Sequence, residues 1–120
     1  MLPAEFLKRI GEQSYIDSTG LEEALSQPAG SSLRVNPHKW QHPVSGYEKV
    51  AWEPNGYYLV AKRLYTPDPL FHAGVYYPQE SSSMFTGELF RQLTSGMTGL
   101  RVLDLCGAPG GKATHLSALL

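Results

Sequence analysis

Val102-Leu103-Asp104-Leu105-Cys106-Gly107-Ala108-Pro109-Gly110-Gly111-Lys112 decides how this chain is read. A short apolar run ends in an acid, a loop of small residues follows, and a helix-like tail runs on to Leu120. Strand, glycine-rich turn and helix in that order are how an α/β sheet presents backbone N–H groups to a nucleotide-like ligand. Leu100 to Leu105 is therefore expected to be a buried strand, and Gly111 onward the start of a helix.

Three loop chemistries compete for positions 104 to 112. A triphosphate-binding loop needs a glycine five places before Gly111 and Ser or Thr directly after the lysine. Cys106 and Ala113 stand there, so both ends fail. A dinucleotide fingerprint needs glycines two and three apart, which Gly107, Gly110 and Gly111 do not provide. The third is the S-adenosylmethionine loop of doubly wound methyltransferases, an acid followed by small residues at alternate positions. Asp104, Cys106, Ala108 and Gly110 keep that alternation. Small side chains let a ligand lie against the backbone. Pro109 has φ already set for a first helical turn, and Gly110 and Gly111 leave the helix-start N–H groups open to a carboxylate. An ordinary tight strand–helix connection is the plain alternative.

Outward from the loop, the character of the chain changes near residue 80. Phe6, Leu7 and Ile10 share one helical face, ending at Gly11. Ser18 or Thr19 can cap a second helix through Leu25, stopped by Pro28. Ser31–Asn36 reads as a strand closed by Asn36-Pro37, and Tyr57–Val60 as another. Residues 38 to 56 are loop-like with short extended pieces, Thr66–Pro69 is an extended connection, and Val75–Tyr77 is extended up to Pro78. Ser81, Ser82 or Ser83 can cap a helix carrying Phe85, Leu89 and Leu93 at steps of four, with Glu88 and Arg91 as a surface pair. Thr94–Gly99 is a hinge-like loop. The expected class is α/β: a small N-terminal α+β region over residues 1–80, then the start of a doubly wound, Rossmann-like domain over 81–120.

Composition sets wider limits. The 120 residues are 42% hydrophobic and 18% charged, ordinary for a globular chain, and the formal net charge of −1 argues against a strongly basic nucleic-acid face within this stretch. The single Cys106 excludes an intrachain disulfide and fits a reducing compartment. No signal peptide or membrane span is readable from Met1 onward, so the cytoplasm is the expected location. His38 and His42 lie four apart between Pro37 and Pro43, without the further ligands zinc needs, and no metal site is expected.

The residues then resemble a known family. Leu103 to Lys112 is similar to the cofactor motif of the Sun-type RNA cytosine (carbon-5) methyltransferases, commonly Cys-Ala-Ala-Pro-Gly-Gly-Lys-Thr. The chain departs at Gly107 and Ala113, with Thr114 one place late. Gly74-Val75-Tyr76-Tyr77-Pro78-Gln79-Glu80-Ser81-Ser82-Ser83-Met84 resembles the family's upstream segment, and Leu33-Arg34-Val35-Asn36 a weaker N-terminal signature. The resemblance implies the N-terminal part of a methyltransferase that uses S-adenosylmethionine on ribosomal or transfer RNA, with residues 1–80 as an RNA-facing unit. It implies Cys106, Gly107, Ala108, Pro109, Gly110, Gly111 and Lys112 as the cofactor-binding residues. A cysteine would add to carbon 6 of an unstacked cytosine, and carbon 5 would take the methyl group. Both thiols the family uses lie in Pro-Cys and Thr-Cys motifs absent here, so no catalytic residue is expected in this chain and these residues alone are expected to be inactive. Cys106 is expected to line the pocket rather than attack, since no adjacent base is evident.

Some residues keep two readings. Lys112 can meet a cofactor carboxylate or an RNA phosphate, or be a solvated lysine. Asp104 can bond loop N–H groups or, through water, a cofactor ammonium. Trp40, Trp52, Tyr57, Tyr58, Tyr76 and Tyr77 can stack on bases or fill a small core, and packing is the expectation. A monomer away from membranes is expected. The rival function is a non-catalytic RNA-binding or ribosome-assembly module with a remnant fold; a methyltransferase for other substrates is a third.

Overall fold

The computed structural model describes residues 2–42 and 44–120; Met1 and Pro43, which entered the reading of the N-terminus and of the His38–His42 segment, lie outside them. The chain folds as α1 (Ala4–Gly11), α2 (Ser18–Ser26), β1 (Ser31–Val35), β2 (Gly56–Leu59), α3 (Pro69–His72), β3 (Tyr76–Pro78), α4 (Ser81–Leu93) and α5 (Gly111–Leu119). Among the described residues the strands form one three-stranded antiparallel sheet in the order β2-β1-β3. Leu33 sits opposite Tyr57 on one side and Pro78 on the other, and Val35 opposite Tyr76.

β1 is buried on both faces, and its alternation divides two kinds of packing. Leu33 and Val35 point to the apolar side, where they join Tyr57 and Tyr76, flanked by Trp40, Val44, Leu59, Tyr65 and Phe71. Tyr57 and Tyr76 are thus core residues, as expected for aromatics in a small domain. Ser32 and Arg34 point to the other face and meet polar partners: Ser32 Oγ donates to the Gln79 carbonyl at 2.6 Å, and Arg34 reaches α5. The sheet therefore has one dry face and one polar face, and the helices following residue 80 lie on the polar one.

Several local expectations change. Asp17, not Ser18 or Thr19, caps α2, its Oδ1 accepting from the Gly20 N–H at 3.1 Å. Thr66–Pro69 is not simply extended: Asp68 caps the short α3, with Pro69 in the first turn, where its missing N–H costs nothing. α4 starts at Ser81 with Glu80 as N-cap and no side-chain cap bond, so none of the three serines caps it. Pro109 precedes the turn into α5 rather than opening the helix, whose N-cap is Gly110.

Two corrections concern the apolar pattern. Leu100 to Leu105 forms no strand, and Leu103 and Leu105 are 81% and 87% exposed. A strand needs a neighbour for its N–H and C=O groups, and no described strand pairs with this run. On α4, Phe85, Leu89 and Leu93 face outward, while Met84 and Gly87 form the buried side. The radius of gyration, 17.2 Å, accordingly exceeds the roughly 14 Å of a compact chain this long.

Candidate cofactor site

The glycine loop folds back on itself and on β3. Asp104 Oδ1 accepts from the Cys106 N–H at 2.9 Å, which answers one of its two readings, while Oδ2 is buried with no partner among the described residues. Tyr77 Oη donates to the Pro109 carbonyl at 3.0 Å, tying the loop to the strand. Gly110 then turns the chain into α5 with φ of +104°, a conformation that side chains disfavour. Thr114 Oγ1 returns to the Gly110 carbonyl at 2.7 Å, so the hydroxyl that stands one place late still closes onto the helix start.

α5 is held on the polar face of the sheet by two clusters. In the first, Arg34 Nη2 donates to Thr114 Oγ1 at 3.0 Å and Arg34 Nε to Gln79 Oε1 at 2.9 Å. Burial pushes the Arg34 guanidinium below its ordinary pKa, partly offset by Glu53 and Tyr77. In the second, Glu53 Oε2 accepts from His115 Nε2 at 2.8 Å and from Arg91 Nη1 at 3.0 Å, and its Oε1 accepts from the Asn55 N–H at 3.0 Å. Burial alone would raise the Glu53 carboxyl; the hydrogen bonds from His115, Asn55 and Arg91 overcome it and hold the group at about 2. Arg91 also keeps the expected pair with Glu88, at 3.0 Å. Gly87 leaves room for the His115 ring, which a β-carbon there would overlap.

Between loop and sheet lies a hollow of about 220 Å³, lined by Tyr77, Pro78, Gln79, Glu80 and Ser83 on one side. Cys106, Gly107, Ala108, Pro109, Gly111 and Lys112 line the other. Six of the seven residues expected to bind a cofactor thus meet in one place, and the seventh, Gly110, is the hinge beneath it. The hollow is smaller than the roughly 300–1,000 Å³ of sites that enclose a whole small molecule, so it fits one end of a ligand. Two features suit a cofactor's amino-acid end: the bare glycine backbone at the start of α5, and the buried, unpartnered Gln79 Nε2. Cys106 is exposed, and Lys112 forms no ion pair among the described residues.

Sequence reasoning missed three residues around the site. Tyr77 and Gln79 lay inside the quoted upstream segment and Arg34 inside the weaker one, but nothing in residue order indicated that they would touch the loop. His38 turns its Nε2 towards the Ala118 carbonyl at 3.2 Å, so it serves α5. No helix among the described residues is long and apolar enough to cross a membrane.

A small antiparallel α/β unit followed by a glycine-loop helix matches a defined class. Residues 2–81 match the family model described as the N-terminal domain of 16S rRNA methyltransferase RsmF, and the chain belongs to that family. The Sun-type resemblance read from the loop and the Tyr-Tyr-Pro-Gln-Glu segment therefore holds. Ribosomal RNA small subunit methyltransferase F of Vibrio atlanticus is 28% identical over 138 residues, covering 99% of this chain and 28% of that protein. Its counterpart in Shewanella loihica is 30% identical over 124 residues, covering 87% and 24%. Ribosomal RNA small subunit methyltransferase B of Serratia proteamaculans is 31% identical over 125 residues, covering 95% and 28%. The chain spans about a quarter of the length of these relatives.

Proposed function

We propose that the protein carrying this chain transfers a methyl group from S-adenosylmethionine to carbon 5 of a cytosine in small-subunit ribosomal RNA. The observation that carries this reading is the convergence of the Cys106–Lys112 loop and the Tyr77–Glu80 segment on one hollow at the start of α5. When bound, the cofactor supplies an electrophilic methyl group. The chain's own contribution is to hold it: first-turn N–H groups of α5 and Lys112 for its carboxylate, the Gly107–Ala108 backbone for close approach, and Cys106 as a wall. Residues 81–120 are read as the opening of a doubly wound domain, in which Leu100–Leu105 becomes a strand once parallel neighbours pair with it. Residues 1–80 are read as the unit that faces RNA. The relatives' names, which specify small-subunit ribosomal RNA, favour that substrate over transfer RNA.

The test is tritiated S-adenosylmethionine with the full-length protein and unmethylated small-subunit RNA, followed by nucleoside analysis. Label in 5-methylcytosine is expected. Label in another nucleoside would contradict the position. RNA binding without any transfer would favour the non-catalytic assembly module.

A further inference from the structure

We propose that the Gln79 side-chain amide is itself a cofactor-binding group, its Nε2 donating to the carboxylate at the amino-acid end of S-adenosylmethionine. The inference rests on the reading of the loop as the cofactor site and adds to it a residue outside the loop. Gln79 is 7% exposed, yet its Nε2 has no hydrogen-bond partner among the described residues. The orientation of the amide is fixed by Arg34. A guanidinium only donates, so the end 2.9 Å from Arg34 Nε must be the oxygen, and the NH₂ must face away. On that other side stands Gly111, where a β-carbon would lie 3.7 Å from Nε2, and both residues line the hollow.

The charge pattern selects the ligand chemistry. α5 runs nine residues from Gly111, and its positive end, the Lys112 ammonium and the unpaired Gln79 donor all favour an anion on the loop side. Glu80, exposed on the rim of the same hollow, opposes a doubly charged phosphate but suits an ammonium. A zwitterionic amino-acid end meets both demands at once. Arg34 acts as a positioning residue, because its bond to Oε1 aims the amide.

The experiment compares two ligands on two forms of the full-length protein by calorimetry. Gln79→Glu keeps an oxygen for Arg34 and replaces the donor with negative charge. S-adenosylmethionine affinity is expected to fall at least tenfold, while 5′-methylthioadenosine, which lacks the amino-acid end, is expected to bind both forms within twofold. In the unaltered protein, the ¹⁵N resonances of the Gln79 NH₂ pair, assigned through the contact with Arg34 Nε–H, should shift with S-adenosylmethionine and not with 5′-methylthioadenosine. That second measurement decides the matter if the variant does not fold. Equal S-adenosylmethionine binding by both forms, an equal loss for both ligands, or an unmoved amide pair would overturn the inference while leaving the cofactor site standing. Failure of the unaltered protein to bind either ligand would overturn both.

Discussion

Glu53 and His115, 62 residues apart in sequence, form a 2.8 Å hydrogen bond with 1% and 2% of their surfaces exposed. The bond joins the turn before β2 to the helix that follows the glycine loop, so the sheet and the candidate site share one buried polar contact. Replacing Glu53 with Ala would leave the His115 N–H and one Arg91 donor facing each other without an acceptor. Breaking such a pair costs about 3–5 kcal/mol. Urea unfolding should show a loss of that order for Glu53→Ala and a smaller one for Glu53→Gln, which keeps one acceptor oxygen. An unchanged midpoint in both variants would show that the cluster does not hold α5.

The same carboxyl sets an acid limit. Glu53 is held at about 2 against an ordinary 4.5. Its folded pKa lies below its unfolded one, so the linked stability is fully present above pH 4.5 and is lost as the pH falls towards 2. The linkage amounts to roughly 3 kcal/mol. Chemical denaturation across that window should show the native protein losing stability more steeply than Glu53→Gln. Parallel profiles would contradict the assignment.

Gly87 should respond against helix propensity. In an exposed helix interior, Gly→Ala stabilises by about 0.5–1 kcal/mol. Here the new methyl group would overlap the His115 ring, and overpacking of this kind costs about 1–3 kcal/mol. Thermal unfolding should therefore show Gly87→Ala destabilised. A stabilised variant would mean that α5 does not pack as described.

Tyr77→Phe isolates the strand–loop tie. The hydroxyl bonds the Pro109 carbonyl at the surface, so global stability should change by no more than about 1 kcal/mol. Amide exchange in residues 106–110 should nevertheless quicken, because the loop loses its anchor to β3. Unaltered exchange there would show that the loop is held from within.

These contacts mark what sequence order conveys and what it does not. β1, β2 and β3 were legible to within a residue or two, because Asn36-Pro37 and Pro78 bound short β-branched and aromatic runs. The glycine loop was legible as a turn into a helix because Gly and Pro crowd one turn ahead of a helix-like tail. The buried face of α4 was not. Its apolar residues at steps of four point outward, and the true contact is a glycine closing on a histidine, which hydrophobic periodicity does not register. The Glu53–Arg91–His115 cluster was equally hidden, since its members come from a turn and two separate helices and each alone reads as a surface residue. The Leu100–Leu105 run showed the opposite limit: an apolar segment has strand character, but pairing decides whether it is a strand.

If the Cys106–Lys112 loop and the facing Gln79–Glu80 segment form the cofactor cradle, hydrogen–deuterium exchange of the full-length protein with and without S-adenosylmethionine will register it in those residues. Amides of residues 106–112 should slow markedly on adding the cofactor, with residues 79 and 80 slowing alongside, and Gly110→Val should abolish the effect. Protection elsewhere in the protein that leaves residues 106–112 unchanged would contradict that placement.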